Sequence, residues 1–553
     1  VKLLEQEEQR KLLSPSQQRI VDDILAEYEK GITGTYLLHG ITGSGKTEVY
    51  MALIEKVIAG GRQAIVLIPE IALTYQTLLR FYKRFGDRVS VMNSTLSPGE
   101  KYDQCERAKN GEIDVIIGPR SALFTPFPDI GLIVIDEEHE GSYKSEGTPK
   151  YHARETAMEV ARLHGASVVL GSATPCVETM YRAKQGIYRF YQLKNRSNRQ
   201  PLPPVQIVDM KEQLQQGNDL SLSYPLQDAI RETKDAGKQT ILFLNRRGNS
   251  RALVCVDCRE APECPRCSAR LTYHSANERL MCHYCGYSQP AMERCPSCGG
   301  PMKKIGTGTQ KVQQELKTLF ADLEVDRMDA DTVSAVNTHE HILDHFKNEH
   351  VPILIGTQMV AKGLNLPDVT LVGVLDADLG LYSDNYRAAE TTFNMLTQVV
   401  GRAGRGDTAG QAVIQTMVPE HKVITLAARQ DYESFYELEL ELRRVQQCPP
   451  FADVTLVTFT GQDEAAVLRG AVKFRDSLMS LLKLPQYASE QLSCFGPAPC
   501  PVAKINYNYR YRLTLRGKLS RALRQLLAHL LREFSRDKEN REVSAFVDVN
   551  GFD

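Results

Sequence analysis

Residues 36–54 read YLLHGITGSGKTEVYMALI and decide the fold of this part of the chain. A short apolar run leads into a glycine-rich loop, and apolar residues at helical spacing follow it. Glycines let backbone N–H groups close around phosphate oxygens, and the helix that begins here points its positive end at the same anion. The pattern predicts a strand, a nucleotide-binding loop and a helix, with the predicted ligand-binding residues Gly40, Ile41, Thr42, Gly43, Ser44, Gly45, Lys46 and Thr47.

Within this loop we expect Lys46 to reach the β- and γ-phosphates of ATP and Thr47 to ligate Mg²⁺. Further along the chain, the apolar run 132–135 ends in Asp136 and Glu137. A strand end of this kind is where an α/β sheet presents its ligands. We predict that Asp136 holds Mg²⁺ through water and that Glu137 acts as general base on the attacking water. Together the two motifs indicate an NTPase, but not yet a motor.

The composition and net charge limit which partners and locations are possible. The chain has 553 residues, of which 42% are apolar and 24% charged, and its net charge is −1. A nucleic-acid partner must therefore be held by local basic patches and not by a global positive field. Because no run of eighteen apolar residues occurs, we expect no membrane span. The chain begins with Val1 and shows no signal peptide, so we expect a cytoplasmic protein that has been truncated at its N-terminus.

Eight of the thirteen cysteines form four Cys-x-x-Cys pairs. In a large chain, clustered cysteines indicate metal and not disulfides. Five residues separate the first two pairs and fourteen separate the second and third, which favours two nested, structural Zn²⁺ sites without an open coordination position. The inner site would be formed by Cys264, Cys267, Cys282 and Cys285, and the outer site by Cys255, Cys258, Cys295 and Cys298.

Two further segments resemble motifs of superfamily 2 helicases. Residues 171–175 (GSATP) resemble motif III, and residues 396–405 (LTQVVGRAGR) resemble motif VI. In that family, motif VI arginines reach across a cleft to the γ-phosphate, which implies this role for Arg402 and Arg405, with Arg405 the better finger candidate. An arginine supplied by a second lobe stabilises transition-state charge only when the cleft is closed, so hydrolysis depends on lobe position. Taken alone, Arg402 and Arg405 could be surface arginines in a glycine-rich loop.

The same resemblance implies contacts with adenine and DNA. Residues 13–17 (LSPSQ) resemble the adenine-reading motif, with Gln17 on the base. Residues 143–154 resemble the aromatic-rich loop of RecQ- and PriA-type helicases, although the chain contains no Trp. Residues 118–124 and 356–363 resemble motifs that bind the DNA backbone. Together, these segments and the aromatic-rich loop imply DNA contacts by Arg120, Tyr143, Lys144, Tyr151, Arg154, Thr357 and Lys362. Each could instead be an ordinary helix cap, turn or linker residue.

The placement of a double-zinc insertion in the second lobe resembles the PriA family of bacterial replication-restart helicases. The resemblance covers nearly the whole chain and implies an α/β fold with two RecA-like parallel-sheet lobes, the zinc insertion in lobe 2, and an α+β C-terminal domain. The expected divisions are lobe 1 at 1–200, the first part of lobe 2 at 201–250, the zinc module at 251–304, the second part of lobe 2 at 305–424, and the C-terminal domain at 425–553.

The family implies an ATP- and Mg²⁺-dependent 3′-to-5′ DNA helicase or translocase at stalled or abandoned replication forks. Implied partners are forked and single-stranded DNA, single-stranded-DNA-binding protein, primosome proteins and the loader of the replicative helicase, in the bacterial cytoplasm near the nucleoid. We expect this chain to lack the family's N-terminal DNA-binding region and winged helix, and fork recognition to be weakened accordingly. Two alternatives stay open: a translocase that moves on duplex DNA without separating strands, and a DNA-binding scaffold with a vestigial ATPase.

Overall fold

The structure is a computed structural model. It describes residues 12–70, 73, 75–147, 149–195, 202–245, 252–255, 257–258, 262–266, 271–274, 278–281, 287–305, 309–328, 338–357, 360, 366–382, 385–404 and 408–551. Several predicted site residues lie outside these ranges, namely Cys267, Cys282, Cys285, Lys362 and Arg405.

The first lobe is a parallel sheet of seven strands with a hydrophobic core on each face. Its strands are β1 (Thr35–Gly40), β2 (Gln63–Leu67), β3 (Val89–Val91), β4 (Val115–Gly118), β5 (Ile130–Asp136), β6 (Ser167–Ser172) and β7 (Arg189–Leu193). The order across the sheet is β3-β4-β2-β5-β6-β1-β7. Successive residues of β1 belong to different cores, Leu37 to one and Leu38 to the other, because neighbouring side chains on a strand point to opposite faces.

The helices of this lobe cover both faces of the sheet. They are α1 (Pro15–Glu29), α2 (Lys46–Ala59), α3 (Tyr75–Phe85), α4 (Pro98–Lys109), α5 (Ala153–His164) and α6 (Val177–Lys184). Capping boxes at Ser14 and Ser97 start α1 and α4, each with a proline in the first turn. The central strands β1 and β5 both end at the same edge of the sheet, so the phosphate-binding loop and the acidic motif meet there.

The second lobe is a six-stranded parallel sheet in the order β15-β16-β9-β17-β18-β8. Its strands are β8 (Val205–Asp209), β9 (Gln239–Leu244), β15 (Val325–Met328), β16 (Ile353–Gly356), β17 (Val369–Leu375) and β18 (Gln411–Thr416). Its helices are α7 (Met210–Gln215), α8 (Tyr224–Asp235), α9 (Thr309–Leu319), α10 (Thr338–Asn348) and α11 (Ala388–Val400). The prediction of an α/β fold with two parallel-sheet lobes is confirmed.

A cysteine-rich segment of short antiparallel strands is inserted between β9 and α9. Strand β10 (Ala252–Cys255) pairs with β14 (Met302–Ile305), and this ladder closes the base of the insertion. Between them, β11 (Thr272–His274), β12 (Arg279–Met281) and β13 (Ser288–Pro290) form a three-stranded sheet. Antiparallel pairing of the first and last strands returns the chain to lobe 2 close to where it left.

The C-terminal domain is a four-stranded antiparallel sheet in the order β20-β21-β19-β22. It contains β19 (Asp453–Gly461), β20 (Ser493–Ile505), β21 (Asn508–Gly517) and β22 (Ser544–Val549), packed against α14 (Glu464–Leu481) and α15 (Arg521–Arg536). Leucines of α15 at helical spacing, Leu523, Leu527 and Leu530, are buried in this core, so this face of the helix supports the sheet.

Two helices connect the second lobe to this domain, α12 (Lys422–Ala428) and α13 (Tyr432–Val445). Their buried residues Ile424 and Phe435 belong to one hydrophobic cluster that also contains residues of both lobes. By packing, these helices therefore belong with the lobes, and the separate C-terminal sheet begins only at Asp453, later than the expected division at residue 425. Within the described residues, no helix is both long and apolar enough to span a bilayer.

Candidate nucleotide and nucleic-acid site

The phosphate-binding loop joins the end of β1 to the first turn of α2. Gly43 and Gly45 have φ values of 83° and 81°, a conformation that favours glycine because it lacks a Cβ. Lys46 is buried, and its Nζ donates a hydrogen bond to the carbonyl oxygen of Gly40, 2.9 Å away. Within the described residues, Ser44 Oγ is buried without a hydrogen-bond partner. An unsatisfied hydroxyl inside a glycine-rich turn fits a loop that closes around phosphate oxygens.

Gln17 fixes α1 to this loop. Its Oε1 accepts a hydrogen bond from the backbone N–H of Ser14 at 2.8 Å, and its Nε2 donates to the carbonyl oxygen of Ser44 at 3.0 Å. Gln17 is buried. The side chain is therefore next to the nucleotide loop, as the adenine-reading prediction requires, but in this conformation both ends of its amide bind the protein.

The acidic motif lies at the end of β5, opposite the loop. Tyr50 Oη donates a hydrogen bond to Asp136 Oδ1 at 3.0 Å, and Lys46 Nζ lies 4.0 Å from Glu137 Oε1. Burial, together with the neighbouring Glu137 carboxylate, raises the pKa of Asp136 to about 6, while Lys46 and Tyr50 oppose the rise. A nearby cation stabilises the charged form of a buried carboxylate that is otherwise costly to ionise. With the hydroxyl of Thr47, this set of oxygens fits Mg²⁺.

A histidine joins the acidic motif to motif III and motif VI. His139 Nδ1 lies 2.6 Å from Ser172 Oγ, and His139 Nε2 lies 2.7 Å from Nε2 of Gln398 on α11 in the second lobe. Since the Gln398 amide can donate to Nε2, the imidazole would carry its proton on Nδ1 and donate to Ser172. Ser172 Oγ in turn accepts the backbone N–H of Thr174 at 2.9 Å. These contacts connect α11 of the second lobe to the segment that carries the acids and to the end of β6.

The turn after α11 brings motif VI to the phosphate-binding loop. A Cβ placed on Gly401 would lie 3.5 Å from the Cβ of Thr42, so the motif VI turn lies beside the phosphate-binding loop. Arg402 follows in this turn and is half-buried. Arg405 lies outside the described residues. Lys46 of the first lobe and the motif VI turn of the second lobe therefore both lie at the phosphate-binding loop.

A cluster of buried charges, which we call the seam cluster, lies where α6, α11 and α13 meet. It consists of Glu178, Arg387, Glu390, Glu439 and Arg443, each of which is buried. Arg387 pairs with Glu178 across the lobes, and Arg443 Nη2 lies 2.8 Å from Glu390. Burial raises the pKa of Glu439 to about 7, and Arg443 opposes this rise. Sequence reasoning missed this cluster, because its members are far apart in the chain.

Three of the predicted DNA contacts are corrected by their burial. Tyr143 Oη donates hydrogen bonds to the carbonyl oxygens of Leu67 and Asp136, at 3.0 and 2.7 Å, so its ring is part of the lobe 1 core. Lys144 Nζ forms an ion pair with Asp548 of β22 at 2.6 Å. Arg154 pairs with Glu138 at 2.8 Å. None of these three side chains is exposed to a DNA strand in this structure, because each one fastens the loop to its surroundings.

Other residues of the predicted DNA-binding segments are exposed or half-buried. Phe124 is 56% exposed and packs edge-to-face on the half-buried Tyr151, with ring centroids 5.3 Å apart. Arg120 Nη1 donates to the carbonyl oxygens of Ser142 and Lys144 at 2.9 and 2.7 Å, so it braces the loop. Thr357 is half-buried after β16. The exposed ring of Phe124, supported by Tyr151, can stack on bases.

The cysteine-rich segment brings four thiols together. The Sγ atoms of Cys255, Cys258, Cys295 and Cys298 all lie within 4.8 Å of one another. The closest pairs, Cys255 with Cys298 and Cys258 with Cys295, are 3.4 and 3.6 Å apart, near the roughly 3.8 Å edge of a tetrahedron with Zn–S bonds of about 2.3 Å. These are the cysteines of the predicted outer site. Of the inner set, only Cys264 is among the described residues, and it is buried.

Comparison with known proteins matches four family models. They are the DEAD/DEAH box helicase model at residues 14–182, the helicase conserved C-terminal domain at 305–407, the Cys-rich region domain of PriA DNA helicase at 264–290, and the C-terminal domain of primosomal protein N at 444–551. The chain is 44% identical to Replication restart protein PriA of Bacillus subtilis, over 94% of this chain and 64% of that protein. It is 37% identical to the Treponema pallidum protein of the same name, over 94% of this chain and 77% of that protein.

The chain belongs to the PriA family of replication restart proteins. The predicted resemblance is thereby confirmed. The chain spans 57–64% of the length of the first three PriA relatives that it matches, those of Bacillus subtilis, Synechocystis and Chlamydia pneumoniae. Both helicase models and both PriA-specific models fall within this span, so the family's helicase and cysteine-rich domains are present in one chain.

Within this PriA-family site, sequence reasoning identified the motifs but missed the residues that support them. Tyr50 follows the phosphate-binding loop by one helical turn, and Gly171 opens motif III. A Cβ at Gly171 would lie 1.5 Å from Tyr50 Oη, so position 171 must be glycine for the phenol to reach Asp136. A tyrosine at this spacing after the lysine was visible in the sequence, but only the fold shows which acid it contacts.

Proposed function

We propose that this chain is the motor portion of an ATP- and Mg²⁺-dependent DNA helicase that acts in replication restart. The observation that carries the proposal is the shared cleft, in which the motif VI turn of lobe 2 lies beside the phosphate-binding loop of lobe 1. A nucleotide bound there would be enclosed only when the lobes are close, which makes hydrolysis depend on lobe position. Membership of the PriA family supports the restart role.

In this proposal the chain's residues divide the work of hydrolysis. Lys46 would exchange its hydrogen bond to Gly40 for the β- and γ-phosphate oxygens, while Asp136 and Thr47 would hold Mg²⁺. The metal, when bound, screens the phosphate charge. Glu137 would orient and deprotonate the attacking water, and Arg402 and Arg405 would stabilise the transferred charge from the second lobe. The contact of His139 with Gln398 would report lobe closure to the acids.

We also propose 3′-to-5′ movement on a single strand at abandoned forks, in the bacterial cytoplasm, with the strand stacking on Phe124 and Tyr151. Aromatic stacking tolerates any base sequence, as a translocating motor requires. Two structural Zn²⁺ ions would hold the cysteine-rich segment. Single-stranded-DNA-binding protein, primosome proteins and the helicase loader are the proposed protein partners, since the PriA relatives are named for replication restart.

The test compares Lys46→Ala with Lys56→Ala on the same helix, where Lys56 is exposed. We expect single-stranded DNA to raise phosphate release by the parent chain and by Lys56→Ala, and Lys46→Ala to show no stimulated turnover. Full turnover by Lys46→Ala would refute the site, whereas a parent chain whose phosphate release does not respond to single-stranded DNA would favour a DNA-binding scaffold.

Forked duplexes with a labelled strand and a single 3′ or 5′ tail then test movement. We expect unwinding from one tail polarity only, in which the motor tracks in the 3′-to-5′ direction. ATP-dependent displacement of a third strand from a triplex, without unwinding of any fork, would instead identify a duplex translocase.

A further inference from the structure

Tyr50 lies on α2, one helical turn after the phosphate-binding loop. It follows Lys46 by four residues and Thr47 by three, so all three side chains share one face of α2. The residue is 1% exposed. Its position therefore combines full burial with adjacency to both the phosphate-binding lysine and the hydroxyl proposed to ligate Mg²⁺.

The hydroxyl of Tyr50 contacts the acidic motif through a single hydrogen bond. Tyr50 Oη donates to Asp136 Oδ1 at 3.0 Å. A tyrosine hydroxyl carries its proton at neutral pH and a carboxylate oxygen accepts, so Tyr50 is the donor in this contact. One oxygen of the Asp136 carboxylate is thereby engaged, and rotation of the group about its Cβ–Cγ bond is restricted.

The surroundings leave the phenol little freedom to move away. Asp136 and Gly171 are paired neighbours on β5 and β6, and a Cβ at Gly171 would lie 1.5 Å from Tyr50 Oη. The phenol thus occupies the space that a side chain at position 171 would take. On the other side of Asp136, Tyr143 Oη holds the main-chain carbonyl oxygen at 2.7 Å. The two tyrosines fix the carboxylate and the backbone of the same residue.

We propose that Tyr50 is a positioning residue for the metal–nucleotide site, holding the Asp136 carboxylate in the orientation that Mg²⁺ bound with the nucleotide requires. This inference rests on the proposed ATPase function and goes beyond it, because it assigns the orientation of the acid to a residue outside the recognised motifs. Partners that orient a metal-binding carboxylate commonly account for 10–100-fold in metal affinity or activity.

The experiment measures binding of a fluorescent ADP analogue with Mg²⁺ and with EDTA, using Tyr50→Phe and the control Tyr36→Phe. Tyr36 is also a buried tyrosine of lobe 1, and its hydroxyl donates to Glu27 at 2.6 Å, away from the acids. We expect Tyr50→Phe to weaken the Mg²⁺-dependent gain in affinity by roughly 10–100-fold, while its affinity in EDTA stays within about twofold of the control.

Two kinetic readouts separate positioning from general destabilisation. In phosphate release, Tyr50→Phe should raise the Mg²⁺ concentration needed for half-maximal rate, with a smaller change in the rate at saturation. Mn²⁺, which binds protein ligands more tightly than Mg²⁺ does, should recover part of the loss in Tyr50→Phe and change Tyr36→Phe little. If Tyr50→Phe matches Tyr36→Phe in both readouts, the inference is overturned.

Should Tyr50→Phe fail to fold, 3-fluorotyrosine at position 50 keeps the hydroxyl and makes it a stronger donor. The Mg²⁺ concentration needed for nucleotide binding should then differ from that of the parent chain, and an unchanged dependence would overturn the inference. Absence of Mg²⁺-dependent nucleotide binding in the parent chain would sink the proposed ATPase function itself, whereas a difference confined to the Tyr50 variants concerns this residue alone.

Discussion

Arg443→Met removes one cation from the seam cluster and leaves an uncharged side chain of similar length. Arg443 is fully buried, and its guanidinium lies 2.8 Å from Glu390, 2.9 Å from Glu439 and 3.3 Å from Glu178. In the variant, Glu178 and Glu390 would keep their ion pairs with Arg387, whereas Glu439 would lose its ion pair with Arg443. The formal charge of the cluster would fall from −1 to −2 when every member is ionised, since it contains two arginines and three glutamates.

The magnitude follows from this burial. Removing one partner of a buried ion pair leaves uncompensated charge and costs about 3–5 kcal/mol of unfolding free energy. The neighbouring Arg444 provides the control, because its contact with Glu441 is an exposed pair on the same helix. Such pairs contribute about 0–1 kcal/mol. Arg444→Met should therefore leave stability nearly unchanged, although it removes the same charge one position further along.

The assay combines urea unfolding with hydrogen exchange. A chain with several sheets can unfold in more than one step, so exchange supplies the local measurement at the lobe seam. The backbone N–H of Val177 donates to Glu390 across the lobes at 2.8 Å, and we expect its protection to fall in Arg443→Met. If Arg443→Met and Arg444→Met are equally stable and Val177 stays protected, the cluster does not hold the lobes as reasoned.

Further predictions concern pH, zinc, turnover and DNA. The pKa of Glu439 in the folded chain, about 7, lies above its ordinary value of 4.5. Its contribution to stability is therefore complete below about pH 4.5 and is lost as the pH rises through 7. Glu439→Gln should reduce the change of the urea midpoint between pH 5 and 8, and an unchanged dependence of the midpoint on pH would contradict this. Cys295→Ser should lower zinc, measured by mass spectrometry, from two ions per chain to one, whereas Cys500→Ser should keep both. Arg405→Ala should slow ATP turnover by about 1000-fold with little loss of nucleotide affinity. Phe124→Ala should weaken single-stranded DNA binding, measured by fluorescence anisotropy, by about 1–3 kcal/mol, and unaltered binding would place the strand elsewhere.

The aromatic-rich loop shows where sequence reasoning failed. A stretch with tyrosines, lysines and a glycine predicts an exposed loop that binds DNA, yet Tyr143 and Lys144 are buried. Nothing within the segment reveals this, because Lys144 is paired by Asp548 from the C-terminal sheet. The aromatic pair of Phe124 and Tyr151 is assembled from two separate segments, which residue types alone do not bring together.

The sequence by itself determined the two parallel-sheet lobes, the nucleotide loop, the acidic motif and the cysteine spacing. Each is encoded by contiguous residues whose backbone or ligand requirements are local, such as the left-handed glycines at 43 and 45. Only the tertiary structure decided that Tyr50 reaches Asp136, that Gln398 touches His139, and that a buried charge cluster closes the lobe seam. Those contacts join residues distant in the chain, and their free energy depends on burial, which arises only when the lobes pack.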